Sequence, residues 1–321
     1  MMSPLIGYFR REPATLVAMI VLAVVVGVWL ILTPSLSIDS FTSTLSQKTP
    51  LAMLAIGETI VIVTRGIDLS VGGTLALVNV IIAKGSESGG SVIFWTTVAI
   101  VTALVVGLVN GIFVAYFRLP ALIVTLATLS ILSGLALYVL PTPGGGVPGW
   151  FSDIPMTLIG PVPLAAVLLV VIPLVIWLPI RRARIGTALY AVGNDATAAF
   201  VSGIKVKRTT AFAYVLSALF AALGGIFVTM ITVSGDASIG APYTLNSIAA
   251  AVLGGALLTG GRGTIAGAVA GAFILSFITN LLFVLGVSSY WQYVVTGALL
   301  VAALAIPFLM GQLRSRKSVA K

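Results

Sequence analysis

Cysteine and histidine are both missing from the 321 residues, and only 8% of the chain is charged. The first absence excludes disulfide frameworks, thiolate or imidazole metal sites, cysteine nucleophiles and every catalytic triad with a histidine base. The second excludes a water-soluble fold of this size, because soluble domains carry roughly 25% charged residues. What is present instead is apolar. Hydrophobic residues make up 59% of the chain, and mean hydropathy is +1.19. This is the composition of a polytopic membrane protein. A net charge of +9 looks at first like a nucleic-acid signal. In a membrane chain it is the usual excess of Lys and Arg in cytoplasmic loops.

A helix that crosses the bilayer needs about 20 mostly apolar residues, because the hydrocarbon core is about 30 Å thick. Ten apolar stretches can be read: 14–33, 51–64, 69–83, 92–116, 121–140, 162–180, 209–233, 244–259, 264–286 and 290–310. The second, third and eighth are short. Arg10 and Arg11 precede the first stretch, as in a signal peptide. That stretch is long for a signal, however, and Thr33-Pro34-Ser35-Leu36-Ser37 offers no small-x-small cleavage site, so it reads as a retained helix.

Charge sets the expected orientation. With the N-terminus in the cytoplasm, the inside segments hold Arg10, Arg11, Arg65, Arg118, Arg181, Arg182, Arg184, Lys205, Lys207, Arg208, Arg262, Arg314, Arg316, Lys317 and Lys321. Only Lys48 and Lys84 fall outside. The expected fold is therefore all-α, a single transmembrane domain over residues 1–321 with about ten transmembrane helices and both termini cytoplasmic. Five helices per half imply inverted topology if the halves are structural repeats. The outside segments are the polar residues 34–50, with Asp39 near their start, and residues 141–161, whose Pro141-Thr142-Pro143-Gly144-Gly145-Gly146-Val147-Pro148-Gly149-Trp150 is expected to be non-helical.

Ionisable groups inside a membrane are costly and usually functional. Glu58 is the one acid well within an apolar run, and Arg65 and Asp68 lie where the second and third runs meet. Two readings of Thr64-Arg65-Gly66-Ile67-Asp68-Leu69-Ser70-Val71-Gly72-Gly73 stay open. One is a helix cap by Asp68 or Ser70 with a local Arg65–Asp68 pair. The other is a broken helix lining a path. Neutral polar residues are commoner: Asn79, Asn110, Thr125, Thr128, Ser130, Asn246, Ser247, Ser276, Thr279 and Asn280. Singly they read as interhelical glue; together they suit an uncharged, hydroxyl-rich solute. Gly267-Ala268-Val269-Ala270-Gly271 has the small-xxx-small spacing of a close helix-packing face.

The longest inside loop, residues 181–208, is basic at both edges and small-residue in its centre. Asn194 or Asp195 is placed to cap a short helix ending near Gly203. Ala198, Ala199, Phe200 and Val201 would give that helix an apolar surface outside the bilayer, onto which a partner could dock. No G-x-x-x-x-G-K-[ST] occurs, so the chain shows no P-loop. Proton-coupled carriers keep several acids or histidines in the membrane, and here Glu58 stands nearly alone. Both absences point to a partner that supplies the energy.

Leu54-Ala55-Ile56-Gly57-Glu58-Thr59-Ile60-Val61-Ile62-Val63-Thr64 followed by Gly66-Ile67-Asp68-Leu69-Ser70-Val71-Gly72 closely resembles the signature of ribose-type monosaccharide ABC transporter permeases. Gly186-Thr187-Ala188-Leu189-Tyr190-Ala191-Val192-Gly193-Asn194, with Ala198-Ala199 and Ser202-Gly203-Ile204, resembles that family's cytoplasmic coupling loop. Gly254-Gly255, Gly260-Gly261-Arg262-Gly263-Thr264 and Gly267 also fit its pattern. Arg65 stands where the family often has a small residue, and Glu58 stands at a variable position.

The resemblance implies a multi-pass inner-membrane subunit without an ATPase site, cofactor or metal of its own. It would move an uncharged monosaccharide by alternating access. Its implied partners are an ATP-binding subunit, a second permease subunit and a periplasmic-type sugar-binding protein. Gly193, Asn194, Asp195, Ser202 and Gly203 would shape the coupling loop, and Ala198 and Ala199 would form its docking surface. Glu58, Asp68, Ser70, Asn79, Asn110, Asn246 and Asn280 are the candidates for the substrate path. Branched-chain amino acid or nucleoside ABC permeases remain the alternative, as does an autonomous carrier that uses Glu58.

Overall fold

Apolar runs punctuated by Gly and Pro fold here as helices that differ chiefly in how much of each is covered. The computed structural model describes residues 13–33, 38–160, 162–288, 290–292, 294–295, 297–299, 301–302 and 305. In chain order the main helices are α1 (Pro13–Leu32), α2 (Ile38–Val63), α3 (Ser70–Glu87), α4 (Val92–Ala115) and α5 (Ala121–Val139). They continue with α6 (Leu164–Arg182), α7 (Arg184–Asn194), α8 (Ala196–Val201), α9 (Val206–Thr232), α10 (Ala241–Leu253) and α11 (Ile265–Val284). Six of these, α1, α4, α5, α6, α9 and α11, are long and apolar enough to cross a membrane.

Burial separates a centre from a rim. In α1, α4, α5 and α6 only 17–28% of the most apolar window is covered by the rest of the chain, whereas in α9 the figure is 72%. A helix apolar on all sides yet mostly uncovered needs lipid around it. Residues 49–63 of α2 and 70–80 of α3 are buried without interruption. These central helices can therefore carry polar residues that a lipid-facing helix could not.

Close approach holds the centre together, because burial from lipid gives helices little hydrophobic reason to associate. The Gly267–Gly271 spacing forms the packing face expected of it. A methyl at Gly267 would run into the carbonyl of Gly254, which caps α10, and one at Gly271 into that of Ala250 within α10. Gly107 and Gly111 of α4 do the same against α9, where a methyl would lie 2.6 Å from the Tyr214 oxygen and 2.7 Å from the Ala211 oxygen. Trp29 of α1 meets Phe277 of α11 edge-on at 5.1 Å.

Several expected boundaries move. The segment 34–50 is helical from Ile38 onward, and α2 continues through Pro50. A proline is tolerated inside a membrane helix when neighbours satisfy the backbone it frees. Polar residues there are held by side-chain bonds, with Ser46 Oγ donating to the Pro155 carbonyl at 3.0 Å and Gln47 to Ser43 at 3.0 Å. Asp39 thus lies in a helix rather than a loop. Gly149 and Trp150 open a single helical turn instead of staying irregular. It leads into a 3₁₀ turn, Ile154–Met156, and a two-residue hairpin pairing Leu158 with Pro163. About half of the tenth expected stretch, 290–310, lies outside the described residues, and it is helical where it is described.

Candidate functional site

The loops sort into two ends. At one end the break after α2, the segment around α7 and α8, and the loop after α10 meet one another. At the other, Gly146 donates to the Ala83 carbonyl at 3.1 Å, and Gly144 and Gly235 exchange backbone bonds at 3.0 and 2.7 Å. The first group carries Arg65, Arg181, Arg182, Arg184, Lys205, Lys207, Arg208 and Arg262 and is called the basic end.

Arg65 is the hub of the basic end. It adopts φ +66° after α2, a left-handed conformation uncommon outside glycine. Its Nε donates to the Gly193 carbonyl at 2.7 Å, and its Nη2 donates to the Asn194 carbonyl at 2.5 Å. These carbonyls end α7, where the last groups lack helical partners and a cation is favoured. No Arg65–Asp68 ion pair forms, so the local-pair reading fails. The Gly261 amide donates to the Val63 carbonyl at 2.9 Å, and the Tyr190 hydroxyl donates to the Gly263 carbonyl at 2.9 Å. A methyl at Gly193 would collide with the Val63 carbonyl, and one at Gly261 with the Asn194 side chain. Gly260 and Gly261 sit at φ +84° and +74°, left-handed conformations that suit glycine. Three motifs far apart in sequence are thus a single joint.

Beyond this joint Asp195 caps α8. Its Oδ1 accepts the amides of Thr197 at 2.8 Å and Ala198 at 3.0 Å. These two donors hold its carboxyl below the ordinary carboxylate range. The helix ends as expected, with Gly203 at φ +81° and Ser202 Oγ returning to the Ala198 carbonyl at 2.8 Å. The expected docking surface changes in one respect. Ala199 is buried at 4% exposure, while Ala198 is exposed and Phe200 and Val201 stand 71% and 80% exposed. On a six-residue helix only some side chains face out, and Ala199 turns inward.

The buried polar residues fall into separate groups. Thr128 donates to Asn110 Oδ1 at 2.6 Å, Asn110 to Ser70 Oγ at 2.9 Å, and Ser70 to Asp68 Oδ1 at 2.5 Å. The Asp68 amide then donates to Glu58 Oε1 at 3.2 Å. This chain of bonds runs from α5 through α4 and α3 to α2. The N-cap of α3 is Leu69, without a side-chain cap bond; Asp68 instead accepts the Ser70 amide at 3.0 Å. Glu58 Oε2 and the Tyr214 hydroxyl are buried without a partner, and Ser217 adds its hydroxyl to the Asp68 carboxyl. Tyr214 and Ser217 were missed in the sequence because each sits in an apolar run with no distinguishing spacing.

Asn79 lies elsewhere and is fully used. It donates to Thr229 Oγ1 at 2.9 Å and the Ser234 carbonyl at 3.0 Å, and accepts the Asp236 amide at 2.8 Å. It is a strap between α3 and the turn after α9. Asn246 instead lines a cavity of about 370 Å³ with Gln47, Lys48, Ser276, Thr279 and Gln292. Asn280 does not line it. Gln47 and Lys48 escaped the sequence reading because their segment was expected to be a loop.

Residues 40–304 match the protein family described as branched-chain amino acid transport system / permease component. The ribose import permease protein RbsC of Escherichia coli is 34% identical over 319 residues, 93% of this chain and 95% of its own length. RbsC of Haemophilus influenzae is 32% identical, with 95% of each chain covered. The autoinducer 2 import system permease protein LsrC of Yersinia pseudotuberculosis is 33% identical, over 92% of this chain and 84% of its own. No solved structure matches.

Proposed function

Since this chain belongs to the branched-chain amino acid transport system / permease component family, among its ribose-type ABC permeases, we propose that it is the membrane-spanning subunit of an ATP-driven importer for an uncharged monosaccharide. The observation that carries this reading is the joint at Arg65. It ties the end of α7, next to the exposed Phe200 and Val201, to the end of α2. The opposite part of α2 contributes Gln47 and Lys48 to the cavity. One helix thereby connects a surface suited to a partner with a pocket suited to a solute.

On this reading the basic end faces the cytoplasm of a cell whose inner membrane holds the chain. Ten spans, in two inverted halves of five, leave both termini on that side. An ATP-binding subunit docks on residues 181–208 and hydrolyses ATP, while this chain takes no cofactor of its own. A second permease subunit and a sugar-binding protein complete the importer. The solute meets the amides and hydroxyls of Asn246, Gln47, Gln292, Ser276 and Thr279, which can hydrogen-bond sugar hydroxyls, with the Lys48 ammonium as one further donor.

The deciding experiment is reconstitution in liposomes with the ATP-binding and binding-protein subunits, followed by uptake of labelled pentoses, hexoses and autoinducer 2. ATP-dependent uptake of one neutral solute supports the reading. Uptake by this chain alone, without ATP and abolished by Glu58→Gln, overturns it in favour of an autonomous carrier.

A further inference from the structure

We propose that the basic end holds an anionic phospholipid in a groove between α4 and α9. A pocket of about 710 Å³ opens there beside α8, and Arg118, Lys205, Lys207 and Arg208 supply its charge. None of its lining residues is acidic. A second groove of about 630 Å³ adjoins it and shares Tyr116 and Arg208. This one is lined by Leu108, Ile112, Phe212 and Val215 on the lipid-facing side of the same two helices. Four cations above an apolar channel match a molecule with an anionic head and an acyl chain, and basic pockets between helices at a membrane surface are known to favour such lipids.

The geometry is prepared for a head group. Lys207 Nζ lies 5.6 Å from the centre of the Tyr116 ring, which keeps the ammonium at the junction of the two grooves. Arg118 follows α4 at φ +58°, at the turn where that helix reaches the surface. A free phosphate would use the cations but leave the apolar channel unfilled. A docked protein would cover the pocket beside α8 but not the channel below it.

Native mass spectrometry of the full-length chain, titrated with phosphatidylglycerol or phosphatidylcholine, tests this directly. The expected result is preferential phosphatidylglycerol binding that Lys207→Gln with Arg208→Gln weakens by about tenfold or more. Ile112→Trp, which fills the channel and leaves every cation in place, should weaken it as well. Inorganic phosphate at millimolar concentration should not compete. Equal binding of both lipids, or unchanged phosphatidylglycerol binding in either variant, would overturn the proposal. Full competition by inorganic phosphate would overturn it too, by showing a free-anion site.

Discussion

Arg65 and Gly193, 128 positions apart, are joined by a hydrogen bond of 2.7 Å from guanidinium to carbonyl. It is made by a residue that the sequence offers as a partner for Asp68 and as a departure from the family pattern, but not as a link to residues 193–194. Replacing Arg65 with Ala should leave the chain folded, since the side chain is exposed, but should cut ATP-driven uptake by about tenfold or more, the scale of a lost coupling of about 1–3 kcal/mol. Arg65→Lys should restore only part, because an ammonium cannot span two carbonyls in a fixed fork. Parallel measurements of uptake and ATP hydrolysis check this: hydrolysis should persist while uptake falls.

Gly193→Ala tests the joint from its other side. The added methyl meets the Val63 carbonyl and comes within 2.6 Å of the Gly261 amide that bonds to it. Overpacking of this kind costs about 1–3 kcal/mol. Thermal unfolding in detergent should show the loss, and Gly134→Ala, at an open helical position, should not.

Phe200 and Val201 separate docking from folding. Phe200→Asp should weaken capture of the ATP-binding subunit by roughly 30-fold, as expected for an interface anchor worth about 2 kcal/mol. Membrane insertion should be unaffected. Ala199→Trp should lower stability as well as docking, because Ala199 is buried. Pull-down with the purified partner, alongside unfolding curves, distinguishes the two.

Asp195 yields a pH prediction. Its carboxyl titrates below the ordinary range because the folded α8 donates two amides to the charged form. The cap is therefore complete above the unfolded value and is lost as pH falls through the lower folded value. Hydrogen exchange at the Thr197 and Ala198 amides should stay flat from pH 8 to 6, after correction for intrinsic rates, and Asp195→Ala should accelerate it throughout.

Asn79 and Asn246 were equivalent candidates in the sequence, and the structure gives them opposite tests. Asn79→Leu should destabilise by about 1–2 kcal/mol while leaving the apparent KM of uptake alone. Asn246→Leu should raise KM with little change in stability, because it borders the cavity. Reversed results would exchange their roles.

What could be read from the sequence was whatever chemistry writes locally. Apolar length marked out the long helices, and the Asp195 cap and Gly203 end followed from side-chain chemistry within a few residues. The start of α2 could not be read this way, since residues 38–49 are polar and become helical through contacts such as Ser46 with Pro155. The candidate path was half legible for a similar reason. Composition identified the buried polar residues, but whether Asn79 straps two elements or lines a pocket depends on the turn at Ser234 and Asp236, which only the fold brings near.

The glycine contacts carry a mechanical consequence. Gly107 and Gly111 seat α4 on α9, and at Gly225 of α9 an added methyl would lie only 2.8 Å from the Leu75 oxygen of α3, too close to fit. Gly254, Gly267 and Gly271 fuse α10 to α11 in the same way. Surfaces matched at backbone distance cannot slide without clashing, so each set moves as one solid piece. By the same measure Gly57 seats α2 on α9 at the Ser217 carbonyl, and Gly72 of α3 meets Gly240 just before α10. A change of shape between the molecule's two ends is therefore expected to fall at the turns that join the helices, not within these matched helix pairs.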